Sequence, residues 1–276
     1  MKKLIGITLI SAAIAGCATT LTGRNQLMIV SPKSAIVESE KAYISTVAEL
    51  DQNSQLIKDK AWVERISTIT GRLVTEAIKL QPETKDWDWS VAIINDPNTL
   101  NAWCMAGGRM AIYSGIVTQL NLTDDEIAQI MGHEISHALA NHTAERMSRA
   151  VLMNGALAAT AAVTDNNGYV LSGTAMAAKV ALELPNSRTA ESEADEIGIE
   201  LATRAGYKPE AAVSLWKKMA EAGGGGGPEF LSTHPSPKNR AETLGKLGGK
   251  MLKYNPQLQA SQVFPVTIVT DASQIN

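Results

Sequence analysis

Residues 123–148 read TDDEIAQIMGHEISHALANHTAERMS, and this stretch decides how the rest of the chain is interpreted. Thr123, with Glu126 three residues later, has the pattern of a capping box, which starts a helix. The acidic residues at positions 124–126 suit the positive end of a helix dipole. Nothing breaks the helical pattern before Ser148, so we predict one continuous helix over residues 123–148.

His133 and His137 lie four residues apart inside this helix. Four residues advance an α-helix by about 400°, so both imidazoles leave the same face and can bind a single ion. Imidazole nitrogens suit zinc, and one zinc ion per chain is expected. Glu134 is placed to take a proton from water, which makes it the candidate general base. The alternative is a chance HExxH match on an amphipathic helix.

The same geometry excludes His142 as a third ligand. Along one continuous helix it lies about 900° beyond His133, on the opposite side. The extended motif HExxHxxGxxH would also need glycine and histidine where this chain has Ala140 and Thr143. A third ligand must therefore come from another segment.

A later helix, predicted from about residue 186 to Gly206, carries acidic candidates. Glu191 and Asp195 lie one turn apart on one face of it. Glu191 is the candidate ligand, and Asp195 is a candidate acceptor for the second N–H of a ligand imidazole. From spacing alone, a solvated acidic helix start is an equal alternative.

Elsewhere the sequence predicts helices around a small sheet, which makes the fold class α+β and mostly α. The predicted helices cover residues 31–49, 58–80, 150–163, 170–182 and 209–222, with a short one after Pro237. Strand patterns occupy residues 89–94, 109–114 and 263–270. The apolar segments within residues 150–182 are interpreted as a helical hairpin. Core helices are the favoured interpretation, and a lid or docking surface is the alternative.

The N-terminus has the pattern of an export signal. Two lysines precede an apolar run, residues 4–14, that is too short to span a bilayer as a helix. The run ends in Ile-Ala-Gly-Cys at residues 14–17, which resembles the lipobox of bacterial lipoproteins. Cleavage before Cys17 and lipidation of its thiol are expected, and a plain signal peptide is the alternative. Ala18 favours the outer membrane over retention in the inner membrane.

Composition excludes several classes of function. The 276 residues are 45% hydrophobic and 19% charged, as in ordinary folded proteins. A formal net charge of −3 provides no basic field, so no nucleic-acid partner is expected. The two cysteines, Cys17 and Cys104, cannot form a disulfide-rich scaffold. With Cys17 lipidated, Cys104 is expected to be a free buried thiol, and a catalytic role for it lacks a local signature.

Four stretches carry a family resemblance. They are NAWCMAGGRMAIYSGI (101–116), GHEISHALANHTAERMS (132–148), SRTAESEAD (187–195) and THPSPKNR (233–240). In them the chain resembles the HtpX-type and CAAX-prenyl-protease-type zinc metallopeptidases, peptidase family M48, and especially their soluble periplasmic lipoprotein branch. The expected organisation is a signal peptide (1–16), a lipidated tether (17–30), a gluzincin-type metallopeptidase domain (31–250) and a C-terminal tail (251–276).

The resemblance implies a role for each residue of the predicted zinc site. His133, His137 and Glu191 are expected to bind zinc, with Glu134 as general base. Asp195 is expected to accept a hydrogen bond from the second N–H of a ligand imidazole.

The resemblance also places His234, in a His-Pro loop, near the active site. There it is expected to stabilise the oxyanion or to cover the zinc as a fourth ligand, with Arg240 as its supporting neighbour. A surface loop histidine is the alternative. The five glycines at residues 223–227 suggest that His234 moves between a closed and an open position.

The stretch from Asn101 to Gly115 is expected, again by resemblance, to form a sheet edge along which an extended substrate adds as a strand. Asn101, Ala102, Gly107 and Gly108 are its candidate substrate-contacting residues. Ala106 departs from the proline that the family often has before the glycine pair.

These expectations describe a zinc endopeptidase anchored by lipid at the periplasmic face of the outer membrane. Its expected substrates are unfolded or misassembled envelope proteins. The alternative is a chaperone-like outer-membrane assembly factor with a largely closed zinc site, acting together with the assembly machinery.

Overall fold

A computed structural model of the chain describes residues 17–163, 184–222, 229–234 and 240–275, with the single residues 168, 172 and 176. The predicted fold class, α+β and mostly α, is confirmed. The helices are α1 (Pro32–Gln52), α2 (Lys60–Leu80), α3 (Ser114–Gln119), α4 (Asp124–Leu139), α5 (His142–Val163), α6 (Leu184–Arg204), α7 (Ala211–Ala222), α8 (Glu229–Thr233) and α9 (Arg240–Met251). The strands are β1 (Cys17–Thr19), β2 (Asn25–Leu27), β3 (Ser90–Ile94), β4 (Ala102–Met105), β5 (Arg109–Tyr113) and β6 (Thr267–Val269).

One mixed sheet lies beside α4, with the strand order β4-β5-β3-β6. β3 pairs in parallel with β5 and β6, and β4 pairs antiparallel with β5. Helices cover both faces, so every residue of β3 is buried. Val91 and Ile93 belong to the larger core with α2 and α4. Ala92 and Ile94 pack on the other face with Tyr43 of α1.

The C-terminal segment completes this sheet, because β6 forms the edge beside β3. Before that strand, Phe264 donates its N–H to the Gly71 carbonyl of α2 at 3.0 Å. A Cβ at position 71 would lie 2.5 Å from the Phe264 carbonyl oxygen, so glycine allows the chain to cross α2 this closely. The predicted tail therefore contributes a strand to the main sheet.

α4 begins as predicted but ends early. Thr123 Oγ1 accepts the N–H of Glu126 at 3.3 Å, and Glu126 Oε2 accepts the N–H of Thr123 at 2.9 Å, which is the expected capping box. Asn141 then adopts a left-handed φ of 55° before α5 begins at His142. Asparagine tolerates this conformation better than most residues. The prediction of one continuous helix over residues 123–148 is therefore wrong.

α4 and α6 cross with their backbones in direct contact. A Cβ added at Gly198 of α6 would lie 2.9 Å from both the N and the Cα of His133. A Cβ added at Gly132 would lie 2.9 Å from the Gly198 carbonyl oxygen. Only glycine permits so close an approach. The crossing sets the distance between the histidines of α4 and the acidic residues of α6.

β1 and β2 pair as a short antiparallel hairpin. The hairpin packs against α5 and α6. Arg24, between the two strands, forms ion pairs with Glu145 of α5 at 2.7 Å and with Glu193 of α6 at 2.8 Å. Both carboxylates are buried. Residues 17–30, predicted as a tether, thus include a hairpin that docks on α5 and α6.

α5 contains the first half of the predicted helical hairpin. No residue described between 150 and 162 is buried, and Val151 and Leu152 are 50% and 45% exposed. The core-helix interpretation is therefore wrong for this half. Most of residues 170–182 lie outside the described part of the chain, so the hairpin itself stays a prediction. Within the described residues, no helix combines the length and the apolar character needed to cross a membrane.

We expect Gly198→Ala to lower the free energy of unfolding by about 1–3 kcal/mol, because the new Cβ overlaps the His133 backbone. Gly249→Ala is the matched control, since a Cβ at that position of α9 meets nothing within 4 Å. The control should leave stability unchanged or raise it by up to about 1 kcal/mol. Urea unfolding followed by circular dichroism measures both variants, and equal stabilities would contradict the direct backbone contact.

Candidate metal centre

Four side chains from three parts of the fold converge on one point. His133 and His137 leave one face of α4, Glu191 comes from α6, and His234 follows α8. One nitrogen or oxygen from each lies within 4.8 Å of those from the others. The four residues are only 4–9% exposed. The structure thus brings together the histidine pair suggested by spacing and two residues suggested by the family resemblance.

Neighbouring donor atoms lie about as far apart as two ligands of one tetrahedral zinc ion. Ligands about 2.0–2.1 Å from a tetrahedral zinc ion are about 3.3 Å from one another. His133 Nε2 lies 3.1 Å from His137 Nε2 and 3.3 Å from Glu191 Oε2. His234 Nδ1 lies 3.3 Å from His133 Nε2 and 3.1 Å from Glu191 Oε1. Three imidazoles and one carboxylate fit a metal ion, and zinc is well suited to this donor set.

Glu134 lies beside these donors, with its Oε1 3.4 Å from His234 Nε2. The residue is 2% exposed, and among the described residues its Oε1 has no hydrogen-bond partner. Its carboxylate accepts the N–H of Cys104 in β4. Burial raises the pKa of Glu134, against the opposing charges of His234 and His133. An oxygen that accepts no hydrogen bond and a raised pKa suit a group that accepts a proton.

A carboxylate holds His133 on the side away from the donors. Asp195 Oδ1 lies 3.1 Å from His133 Nδ1 and accepts a hydrogen bond from Arg240 Nη2 at 2.6 Å. Burial lowers the pKa of His133, but the contacts with Asp195 and Glu191 outweigh burial and raise the pKa to about 9.

Arg240 itself is fixed by stacking, with its guanidinium carbon 3.6 Å from the centroid of the Trp216 ring. Its Nη2 also lies 3.4 Å from His133 Nδ1. Arg240 thus contacts Asp195 and His133, and its Nη1 lies 3.7 Å from Glu191 Oε2. Its support of His234 stays a prediction.

His142 is the residue that the sequence interpretation misplaced. Its Nδ1 lies 2.8 Å from His137 Nδ1, and its Nε2 lies 3.1 Å from Glu193 Oε2. His142 contributes no atom to the donor cluster, as predicted, but it does not lie on the far side of one continuous helix. The left-handed residue Asn141 restarts the helix and returns the His142 ring to His137. Burial lowers the pKa of both imidazoles, which favours their neutral forms.

His234 is positioned by the short helix α8. Its ring stacks on Phe230, with centroids 4.4 Å apart and planes 25° apart. The backbone N–H of His234 donates to the Phe230 carbonyl at 2.9 Å. The glycines at 223–227 and residues 235–239 lie outside the described residues, so the movement of His234 stays a prediction.

The edge of β4 lies near Glu134. β4 pairs with β5 on one side, and no described strand pairs with its other edge. Ala102 is the first residue of β4, and Asn101 immediately precedes the strand. Gly107 and Gly108 form the turn into β5, with φ angles of 84° and 80° that favour glycine. Of the residues predicted to contact a substrate, Ala102 therefore lies in β4, Asn101 lies just before it, and the two glycines lie in the turn that follows it.

A cavity of about 180 Å³ borders the donor cluster. Its walls include His137, Glu191, Arg146, Met153 and Thr233. The donors therefore lie next to a space that α4, α5, α6 and the end of α8 enclose.

Cys104 is the free buried thiol that the sequence predicts. Burial raises its pKa well above the usual value, so the thiol stays neutral. Because the thiolate is the nucleophilic form, this environment argues against a catalytic cysteine.

Relatives of the chain include proteins named as proteases. The mitochondrial metalloendopeptidase OMA1 of Saccharomyces cerevisiae is 35% identical over 168 residues, which are 57% of this chain and 46% of the yeast protein. The metalloprotease YcaL of Escherichia coli is 26% identical over 254 residues, 88% of this chain and 95% of YcaL. The beta-barrel assembly-enhancing protease of Yersinia pestis is 28% identical over 204 residues, 70% of this chain and 40% of that protein.

The chain spans less than half the length of the mitochondrial relatives that it matches. The family model of Peptidase family M48 matches residues 60–247, which include His133, His137, Glu191 and His234. This match covers well over half of the chain, so the chain belongs to peptidase family M48.

Proposed function

We propose that the chain is a zinc-dependent endopeptidase of the bacterial cell envelope that cleaves unfolded or misassembled envelope proteins. The observation that best supports this function is the buried donor cluster with the buried carboxylate of Glu134 beside it. Membership of a metallopeptidase family and the names of the relatives support the same activity.

His133, His137 and Glu191 hold the zinc ion in this proposal. Burial opposes ionisation of Glu191, but contacts with His133 and His234 keep its pKa well below the usual range. The carboxylate is therefore ionised, as a ligand must be. When bound, the ion supplies a Lewis acid that polarises the substrate carbonyl and increases the acidity of water.

Glu134 acts as the general base. Its Oε1 accepts a proton as water adds to the peptide carbonyl, and it returns that proton to the nitrogen as the carbon–nitrogen bond breaks. Asp195 keeps the proton of His133 on Nδ1, so that Nε2 faces the other donors. Arg240 fixes Asp195 in turn.

The unpaired edge of β4 is the proposed substrate-binding strand. An extended peptide that adds to this edge obtains main-chain hydrogen bonds independent of its sequence. Unfolded proteins present extended segments, whereas folded proteins rarely do. This requirement favours unfolded or misassembled substrates.

The position of His234 favours a closed resting state. A catalytic zinc site keeps one position open, whereas the Nδ1 of His234 lies where a fourth donor would bind. We therefore propose that His234 withdraws before substrate is cleaved. The run of five glycines at residues 223–227 of the sequence supports this proposal.

A second candidate function follows from the same closed arrangement. A chaperone-like assembly factor could hold outer-membrane clients beside the donor cluster while His234 closes the zinc site. The name of the Yersinia pestis relative refers to beta-barrel assembly. The exposed half of α5 offers a surface for contact with such clients or with assembly machinery.

The proposed location is the periplasmic face of the outer membrane. Residues 1–16 act as the export signal, lipid on Cys17 anchors the chain, and residues 31–250 form the peptidase domain in this proposal. The lipobox-like sequence Ile-Ala-Gly-Cys at residues 14–17 supports it.

Glu134→Gln should lower the hydrolysis of unfolded casein by about 10²–10⁴-fold, because the general base is lost. The zinc content should stay near that of wild type, since no ligand is removed. Glu64→Gln, at a glutamate whose side chain is 67% exposed, is the matched control and should keep full activity. Peptidase assays with elemental analysis of the same samples measure both. Retention of hydrolysis by the Glu134 variant would refute its proposed role.

The same variant separates the two candidate functions in cells that lack the protein. Failure of Glu134→Gln to restore envelope integrity supports the peptidase function. Full restoration, with hydrolysis abolished, would show that client binding is the main function.

Cys17→Ser should move the protein from the outer-membrane fraction to the soluble periplasmic fraction and abolish incorporation of labelled palmitate. Cys104→Ser is the matched control and should fractionate and incorporate label like wild type. Unchanged fractionation of the Cys17 variant would rule out the proposed anchor.

A further inference from the structure

We infer that His142, Glu193 and Arg24 position His137 for metal binding, so that the N-terminal hairpin supports the metal centre. This inference rests on the proposed metal site. It assigns a shared role to three residues outside the donor cluster.

The orientation of His137 determines where its proton lies. Its Nε2 faces the other donors, 3.1 Å from His133 Nε2 and 3.4 Å from Glu191 Oε1. To present a lone pair there, the neutral ring must carry its proton on Nδ1. That Nδ1 lies 2.8 Å from His142 Nδ1, so His137 donates and His142 accepts.

The proton of His142 is then fixed as well. With Nδ1 accepting, the neutral ring carries its proton on Nε2, which lies 3.1 Å from Glu193 Oε2. Arg24 Nε also donates to Glu193, at 2.8 Å. Every hydrogen bond in this series therefore donates towards Glu193, and each nitrogen has a single role.

Arg24 is held from two sides. Besides its bond to Glu193, its Nη1 and Nη2 donate to the two oxygens of Glu145 at 2.9 and 2.7 Å. Arg24 lies between β1 and β2, so docking of this hairpin places the guanidinium that orients Glu193.

The same chemistry surrounds the other histidine of α4. His133 Nδ1 contacts Asp195, which accepts from Arg240. Each histidine thus has a carboxylate and an arginine behind it, and at His137 the imidazole of His142 links the ring to Glu193.

Burial makes these contacts consequential. His142 is 2% exposed and Glu193 is 5% exposed. Loss of the His142 ring would remove the partner of the buried Nδ1–H of His137, whereas Glu193 Oε2 would still accept from Arg24. Removal of such supporting partners typically weakens metal affinity by about 10–100-fold.

The test measures cobalt affinity by chelator competition and the visible absorption spectrum of the cobalt-substituted full chain. His142→Phe should bind cobalt about 10–100-fold more weakly than wild type, with a shifted spectrum. His142→Asn keeps an acceptor near the position of Nδ1 and should recover part of the affinity. Arg24→Gln should weaken binding to a smaller degree.

Arg65→Gln is the matched control, because Arg65 forms a 2.7 Å ion pair with Asp124 at the start of α4, the helix that carries His137. It should leave both the affinity and the spectrum unchanged, which separates positioning of His137 from a general loss of stability. Circular dichroism of the metal-free variants reports folding.

Wild-type affinity and spectrum in folded His142→Phe would overturn the inference. If that variant does not fold, unchanged binding in folded His142→Asn and Arg24→Gln would overturn it. Loss of cobalt binding in His133→Ala, beside normal binding in His142→Phe, would leave the proposed metal site intact. Failure of wild type to bind metal through His133 would overturn the proposed function and this inference together.

Discussion

The direct backbone contact between α4 and α6 is the constraint on which the metal centre depends. Gly132 and Gly198 bring the two helices so close that an added Cβ at either position would overlap the backbone of the other helix. The histidines of α4 and Glu191 of α6 can then share one ion. A wider crossing would move the carboxylate of Glu191 away from the imidazoles of α4.

The polar groups at this crossing are buried, and their desolvation is costly unless each group is paired. In the structure, carboxylates and arginines pair with the polar groups around each histidine of α4 and so offset the desolvation. Asp195 and Arg240 support His133, while Glu193 and Arg24 lie behind His142 and His137. Among the described residues of this cluster, Glu134 Oε1 and the Nε and Nη1 of Arg240 are buried without a hydrogen-bond partner. Glu134 Oε1 lies 3.4 Å from His234 Nε2, and Arg240 Nη1 lies 3.7 Å from Glu191 Oε2.

Local patterns in the sequence were sufficient for part of this account. The capping box and the spacing of His133 and His137 involve residues within one helix, so the sequence alone predicts them. Glu191 lies 54 residues beyond His137, and only the family resemblance separated it from an ordinary acidic helix start. Glu191 lies close to the histidines because Gly132 and Gly198 allow α4 and α6 to touch. A single sequence does not show that these two glycines face each other.

Other features could not be predicted because they depend on a single dihedral angle or on distant contacts. The left-handed φ of Asn141 interrupts a sequence that otherwise continues a helical pattern, and it changes the position of His142. The pairing of β6 with β3 and the docking of Arg24 join segments far apart in the chain. A glycine-permitted crossing of α2 at Gly71 has no signal in a single sequence.

The central claim is that one metal ion binds between α4 and α6. Anomalous diffraction at the zinc absorption edge, from crystals of the protein loaded with zinc, locates the ion directly. The account predicts one peak per chain, about 2.0–2.2 Å from His133 Nε2, His137 Nε2 and a Glu191 oxygen. A peak at another position, or zinc bound through His142 in place of Glu191, would contradict it.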